Sequence, residues 1–246
     1  GDVYLSGADA TAWDLKIAVN ASAIKTGSVV VSKLPENLKV ENANGVYGIV
    51  EQIFVARVDG VGYTTLAEAF AAAQNGETVK LLTSLAIDSE TITIADGKSI
   101  TLDMNGKKIT VTDNKSGNYE LFYIYGELTV TGNGTIELTA TTDRDWNASS
   151  SIFHNRGGKL TIEKGAVVSN GVATANGGNL YVYSGSDLTV KNATITGENR
   201  ALWVHNYAAA DFGAGYNAKA VEDRLNISIL NGNNKINGDI RYGFNE

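Results

Sequence analysis

Five times along this 246-residue chain a short β-branched strand runs into a turn at Asn or Gly and then into a second aliphatic stretch. The clearest copy is Asp187-Leu188-Thr189-Val190-Lys191-Asn192-Ala193-Thr194-Ile195-Thr196-Gly197. Ile100-Thr101-Leu102 leads in the same way to Asn105-Gly106 and Ile109, and Leu128-Thr129-Val130 to Gly132 and Ile136. Leu160-Thr161-Ile162 leads to Gly165 and Val167, and Ile227-Ser228-Ile229 to Asn231-Gly232 and Ile236. The central residues Thr101, Thr129, Thr161, Thr189 and Ser228 are spaced by 28, 32, 28 and 39 positions. A unit of that length cannot bury its own apolar side, so successive units must stack on one another.

Each unit holds up to three short strands, as in Leu180-Tyr181-Val182-Tyr183, Leu188-Thr189-Val190 and Thr194-Ile195-Thr196. Three strands, a bend at each junction and in-register stacking describe one coil of a parallel β-helix. The expected fold is therefore all-β: a right-handed single-stranded parallel β-helix of about five coils. Asn105, Gly132, Asn192 and Asn231 supply the left-handed backbone that one bend needs, and Lys164 interrupts that column. The rival is a β-sandwich or jelly roll. The scarcity of two-residue hairpin turns between strands argues against it.

Residues 1–58 lack the repeat and read as a small β-rich module, with strands around Trp13–Val19, Ser28–Val31 and Leu38–Val40 and an apolar run from Val46 to Val58. Residues 59–246 form the β-helix. At its start, Thr65-Leu66-Ala67-Glu68 is a capping box, in which the Thr hydroxyl and the Glu carboxylate satisfy each other's backbone amides. It predicts a helix over 65–75, with an apolar stripe of Leu66, Ala69, Phe70 and Ala73 and with Gly76 as the C-terminal cap. Standing just before the first coil, this helix would cover an otherwise open strand edge. The long last spacing comes from an insertion at about 207–223, within which Ala218–Leu225 is expected to be a short helix.

Composition removes several functions. With no cysteine there is no disulfide, thiol nucleophile or Cys-based zinc site, and two histidines are few for a metal cluster. A formal net charge of -7 repels phosphate backbones, so nucleic acid is not expected as a partner. No apolar run reaches the roughly 20 residues of a membrane-spanning helix. No basic-then-apolar leader opens the sequence.

Gly62-Tyr63-Thr64-Thr65-Leu66-Ala67-Glu68-Ala69-Phe70, then Gly76-Glu77-Thr78-Val79-Lys80-Leu81-Leu82, then Ile100-Thr101-Leu102-Asp103-Met104-Asn105-Gly106-Lys107 resembles the opening of the parallel β-helix regions called pectate-lyase-like or adhesin-like. Such regions are widespread in secreted and surface proteins of gut-associated bacteria. The resemblance covers roughly residues 59–240. It implies a secreted or cell-surface location and work on, or contact with, polysaccharide or host glycan. It fixes no activity, because the fold carries lyases, hydrolases and non-catalytic adhesins alike.

The chemistry-bearing residues are few. Aligning Leu121, Ile152, Leu180 and Leu202 as inward aliphatics sends Phe122, Phe153, Tyr181 and Trp203 outward, as a ladder of rings about 4.8 Å apart that suits the C–H faces of sugars. Tyr183 and His205 follow two positions later. The same alignment puts His154 and His205 on opposite faces. In the loop after Leu138, Asp143, Asp145 and Trp146 could hold a sugar or a hard cation, calcium being the one candidate; no other cofactor is expected. Asp103 and Glu163 lie two coils apart, about 10 Å, at or beyond the reach of a glycosidase pair. The expected function is a non-catalytic, adhesin-like surface module that contacts glycan. The alternatives are a polysaccharide lyase or glycoside hydrolase, and a structural spacer within a larger surface protein.

Overall fold

The computed structural model describes residues 3–5, 16–18, 29–31, 37–43, 46–115, 117–140, 150–170, 180–183, 186–206, 226–229 and 235–244. They fall into two units, Gly1–Phe54 and Val55–Glu246.

The first unit holds β1 (Val3–Leu5), β2 (Lys16–Ala18), β3 (Val29–Val31), β4 (Leu38–Ala43) and β5 (Val46–Glu51). β1 and β3 pair in parallel, and β2, β5 and β4 form an antiparallel sheet in that order. The apolar run from Val46 is broken after Glu51. Its last part, β6 (Ala56–Val58), belongs to the second unit, so the division falls at 54/55 and not 58/59.

β6 turns back into β7 (Val61–Tyr63) through Asp59 and Gly60, both at positive φ (44° and 84°), the two-residue turn that matches the twist of a hairpin. Next comes α1 (Leu66–Ala72). Its capping box is made: Thr65 Oγ1 accepts from the Glu68 amide at 3.1 Å, and Glu68 Oε2 accepts from the Thr65 amide at 3.1 Å. Gly76 does not cap the helix. The helix closes at Ala73, and Gly76, at φ 86°, donates its amide to Ser99 O. Leu66, Ala69 and Phe70 face inward, and the Phe70 ring meets Phe122 edge-on at 5.4 Å.

The repeat follows, three strands at a time: β8 (Thr78–Leu81), β9 (Leu85–Asp88) and β10 (Ile92–Ile94); β11 (Ser99–Asp103), β12 (Lys108–Asp113) and β13 (Tyr119–Ile124); β14 (Glu127–Thr131), β15 (Thr135–Ala140) and β16 (Ser150–Asn155). Then come β17 (Lys159–Glu163), β18 (Val167–Asn170) and β19 (Leu180–Tyr183), then β20 (Asp187–Lys191) with the long β21 (Thr194–Asn206), and last β22 (Asn226–Ile229) and β23 (Lys235–Phe244). Every strand of a repeat pairs in parallel with its counterpart in the next, giving three ladders: β8-β11-β14-β17-β20-β22, β9-β12-β15-β18-β21, and β10-β13-β16-β19-β21. β21 serves the last two ladders with its two halves, and β23 continues both.

Register puts like residues in columns. Ile100, Leu128, Leu160 and Leu188 form one, and Leu102, Val130, Ile162 and Val190 the next, all essentially without exposed surface. Ile109, Ile136, Val168 and Ile195 form a third. Removing these branched chains from water, at roughly 1.5–3 kcal/mol each, is what drives the units together.

Connections differ between the ladders. From the first ladder to the second, among the described residues, they are the short stretches 82–84, 104–107, 132–134, 164–166 and 192–193. Asn105, Asn133, Lys164 and Asn192 have positive φ there, between 48° and 56°. Lys164, which departs from the sequence pattern, adopts the same left-handed backbone. Between the second and third ladders the connections are 89–91, 114–118, 141–149 and 171–179, and β21 crosses without a break. Among the described residues no helix is long and apolar enough to cross a membrane.

Candidate functional site

The third ladder was expected to carry the site, and its register displaces that site by one residue. Phe122 pairs with Phe153, Phe153 with Leu180, and Leu180 with Leu202. Phe122, Phe153 and Leu202 of that column face inward: Phe122 and Phe153 have no exposed surface and stack at 5.4 Å with 15° between their rings. The two phenylalanines expected on the outer face are core residues, extending the contact begun by Phe70. The column two positions on begins with Ile124 and Asn155, both buried, and in register it continues through Val182 and Val204, not through Tyr183 and His205. Asn155 is fully buried there and spends its amide on the corner, donating to Asp187 O and accepting from the Gly158 amide.

The aromatic column is Tyr123, His154, Tyr181 and Trp203, preceded by Thr93 and followed by Arg241. Tyr183 pairs with His205 two positions on. His154 and His205 therefore hold positions of the same parity, contrary to the expectation that they lie on opposite faces. Tyr181, Tyr183, Trp203 and His205 are placed by backbone register alone. Asp143, Asp145 and Trp146 lie outside the described residues, as do Asp211, Glu222 and Asp223 and the helix expected over 218–225.

Around Tyr123 and His154 sits a polar network that sequence reasoning missed. The Tyr123 hydroxyl donates to Glu120 Oε2 at 2.5 Å, and His154 Nδ1 lies 3.3 Å from Glu120 Oε1. Arg156 donates from Nε to His154 Nε2 at 3.3 Å and from Nη1 to the Tyr125 hydroxyl at 3.4 Å. Its guanidinium also lies over the Tyr123 ring, 4.9 Å from the centroid. A guanidinium only donates, so Nε2 is an acceptor, and the proton of a neutral His154 sits on Nδ1, aimed at Glu120.

Glu120 and His154 are each 3% exposed. Burial pushes the Glu120 carboxyl up, but the His154 hydrogen bond and charge, the Tyr123 hydroxyl and the Arg156 charge outweigh it and hold it below the usual carboxylate range. For His154, burial lowers the pKa and outweighs the opposing pull of Glu120. Burial, then Glu120, raises the Tyr123 phenol. A phenol harder to ionise is a poor acid and an imidazole with both nitrogens engaged is a poor base, so the network braces the face.

Tyr125 links the network to a groove of about 360 Å³ at the corner between the third and first ladders. Its walls are three stacked turns, at 95–98, 125–126 and 157–158. Around the rim, Lys159 Nζ meets Glu127 Oε1 at 2.7 Å, Ser99 Oγ donates to Glu127 Oε2, and Lys98 Nζ donates to Ala73 O at 3.0 Å.

The other acidic candidates do not converge. Asp103, on β11, is two strands from Glu163, on β17, and its Oδ1 accepts from the Asn105 amide, a turn role. Among the described residues no group of three or more acidic, His or Cys side chains could hold a metal ion. The class these features define is an all-β stack of parallel strands with an aromatic column on one ladder. No family model, curated protein or solved structure matches the chain.

Proposed function

We propose that this chain is a non-catalytic module of a secreted or surface-displayed bacterial protein, and that it contacts glycan along the third ladder. The finer fold reading belongs with it: the ladders are successive coils of a right-handed parallel β-helix of the pectate-lyase-like or adhesin-like kind. Support for that reading comes from the three in-phase parallel ladders, the left-handed turns at one junction and the amphipathic helix at the first coil. Right-handed crossovers are the rule for parallel strands.

The observation that carries the functional reading is the register of Tyr123, His154, Tyr181 and Trp203, with Tyr183 and His205 two positions on. His154 is buried and serves to hold Tyr123, so the sugar contacts in this reading fall to Tyr123, Tyr181 and Trp203, whose rings at strand spacings match the flat apolar faces of successive sugars. Catalysis is left out of the reading because Asp103 and Glu163 stand two strands apart, Asp103 is tied to the Asn105 amide, and Tyr123 and His154 are engaged with Glu120 and Arg156.

Affinity electrophoresis through gels containing a panel of plant, microbial and mucin polysaccharides tests it. Retardation by at least one polymer, relieved by Trp203→Ala, is expected. Migration unaffected by every polymer would leave the chain a structural spacer.

A further inference from the structure

We infer that the corner groove beside Tyr125 is a binding site for a single neutral sugar residue, separate from the aromatic column. It rests on the reading of this surface as glycan-facing, but on none of the column's residues.

The turns that wall the groove stack closely because of glycine. A Cβ at Gly126 would lie 2.2 Å from Ala95 O and 2.3 Å from Lys98 O, and one at Gly158 would lie 2.3 Å from Gly126 O. The stacked turns thus meet backbone to backbone at Gly126 and Gly158. Their contact is fixed by amides: Glu127 N donates to Lys98 O and Lys159 N to Gly126 O. The floor is preformed, so a ligand loses little in ordering it.

The rim specifies the ligand's chemistry. Lys98 and Lys159 are balanced by Asp96 and Glu127, a neutral set in a chain whose formal net charge is -7. A free anion or cation finds no excess of opposite charge there. A ligand carrying several hydroxyls finds donors on the lysines and acceptors on the carboxylates, held at fixed spacing by the Lys159–Glu127 and Ser99–Glu127 contacts. One half-buried ring, Tyr125, supplies the apolar surface, and Arg156 steadies its hydroxyl. Hydroxyls around one apolar face describe a pyranoside, and about 360 Å³ is at the small end of ligand sites.

The test uses the whole chain and defined probes: the methyl glycosides of glucose, galactose, mannose and N-acetylglucosamine, with glucuronate as the charged comparison. Amide-shift titrations should show at least one neutral glycoside saturating shifts at Gly126, Gly157 and Gly158. Tyr125→Ala and the paired variant Glu127→Gln/Lys159→Met should each weaken that binding by about tenfold, while Trp203→Ala leaves it unchanged. Both sets of substitutions are at partly exposed positions, and unchanged amide dispersion elsewhere verifies folding. Shifts absent with all four neutral glycosides, or glucuronate binding more tightly than any of them, overturn the inference. Polymer retardation that depends on Trp203 but not on Tyr125 would sink the groove and keep the functional reading. Saturable glycoside binding at the groove without polymer retardation would do the reverse.

Discussion

His154 Nδ1 lies 3.3 Å from Glu120 Oε1, and both side chains are almost completely shielded from water. The pair crosses between neighbouring strands of the third ladder, where Arg156 on the far side of the imidazole fixes its tautomer. One proton on Nδ1 satisfies all three groups. A second, on Nε2, would face the guanidinium.

Stability should therefore fall in acid. An unfolded histidine takes up a proton near pH 6.5, whereas folded His154 resists it. The unfolded chain then binds more protons below that point, so this contribution is complete above about pH 6.5 and shrinks as the pH falls towards the lowered folded value. Glu120, also lowered, adds a further loss below its ordinary range near 4.5. Urea midpoints at pH 8 and pH 5.5 should differ, and His154→Gln should reduce the difference. Glu120→Ala, which strands the His154 and Tyr123 donors, should cost roughly 2–4 kcal/mol at neutral pH. An equal pH dependence in His154→Gln would contradict this account.

Phe153→Ala separates a core ring from a surface one. Stacked on Phe122 and fully buried, it should destabilise the chain by about 3–5 kcal/mol in chemical denaturation. On an exposed face the change would stay within about 0.5 kcal/mol.

Lys164 occupies left-handed backbone at φ 56° on an exposed turn. That conformation costs an L-residue about 1–2 kcal/mol and glycine almost nothing. Lys164→Gly should raise stability by about 1 kcal/mol, net of the entropy glycine adds to the unfolded chain. Its neighbour behaves oppositely: a Cβ at Gly165 would sit 2.2 Å from Asn133 Oδ1, and φ there is 76°, so Gly165→Ala should destabilise. Two midpoints moving in the same direction would refute the turn geometry.

The stacking of units could be read from the chain because Leu188, Val190 and Ile195 recur in phase with the Asn and Gly turns. Register on the third ladder could not, and the reason is local. Simple alternation assigns Leu121 and Phe122 to opposite faces, yet both are buried, and Glu120 meets Tyr123 three residues away. Residues of both faces are buried along β13 and β16, so burial does not single out the inward column, and an alignment anchored on Leu121 and Ile152 meets Leu180, the partner of Phe153, one residue out. The Glu120 network was equally hidden. Its members sit on two strands separated by 34 positions and meet only once the register is known. Gly126 and Gly158 looked like ordinary turn residues until the stacking distance gave each a reason to lack a side chain.

One corner of the stack is permissive. Turns between the first and second ladders stay short, while the number of residues separating the second ladder from the third rises from 89–91 through 114–118 to 141–149 and 171–179, then falls to none where β21 runs straight through. Strands on both sides keep their register from β9 and β10 up to β21, and only β23 shifts against β21 at this corner. The scaffold thus separates inheritance from novelty: segments can be spliced in at that corner without renegotiating the pairing, and foreign sequence displayed there would be carried on an unchanged frame.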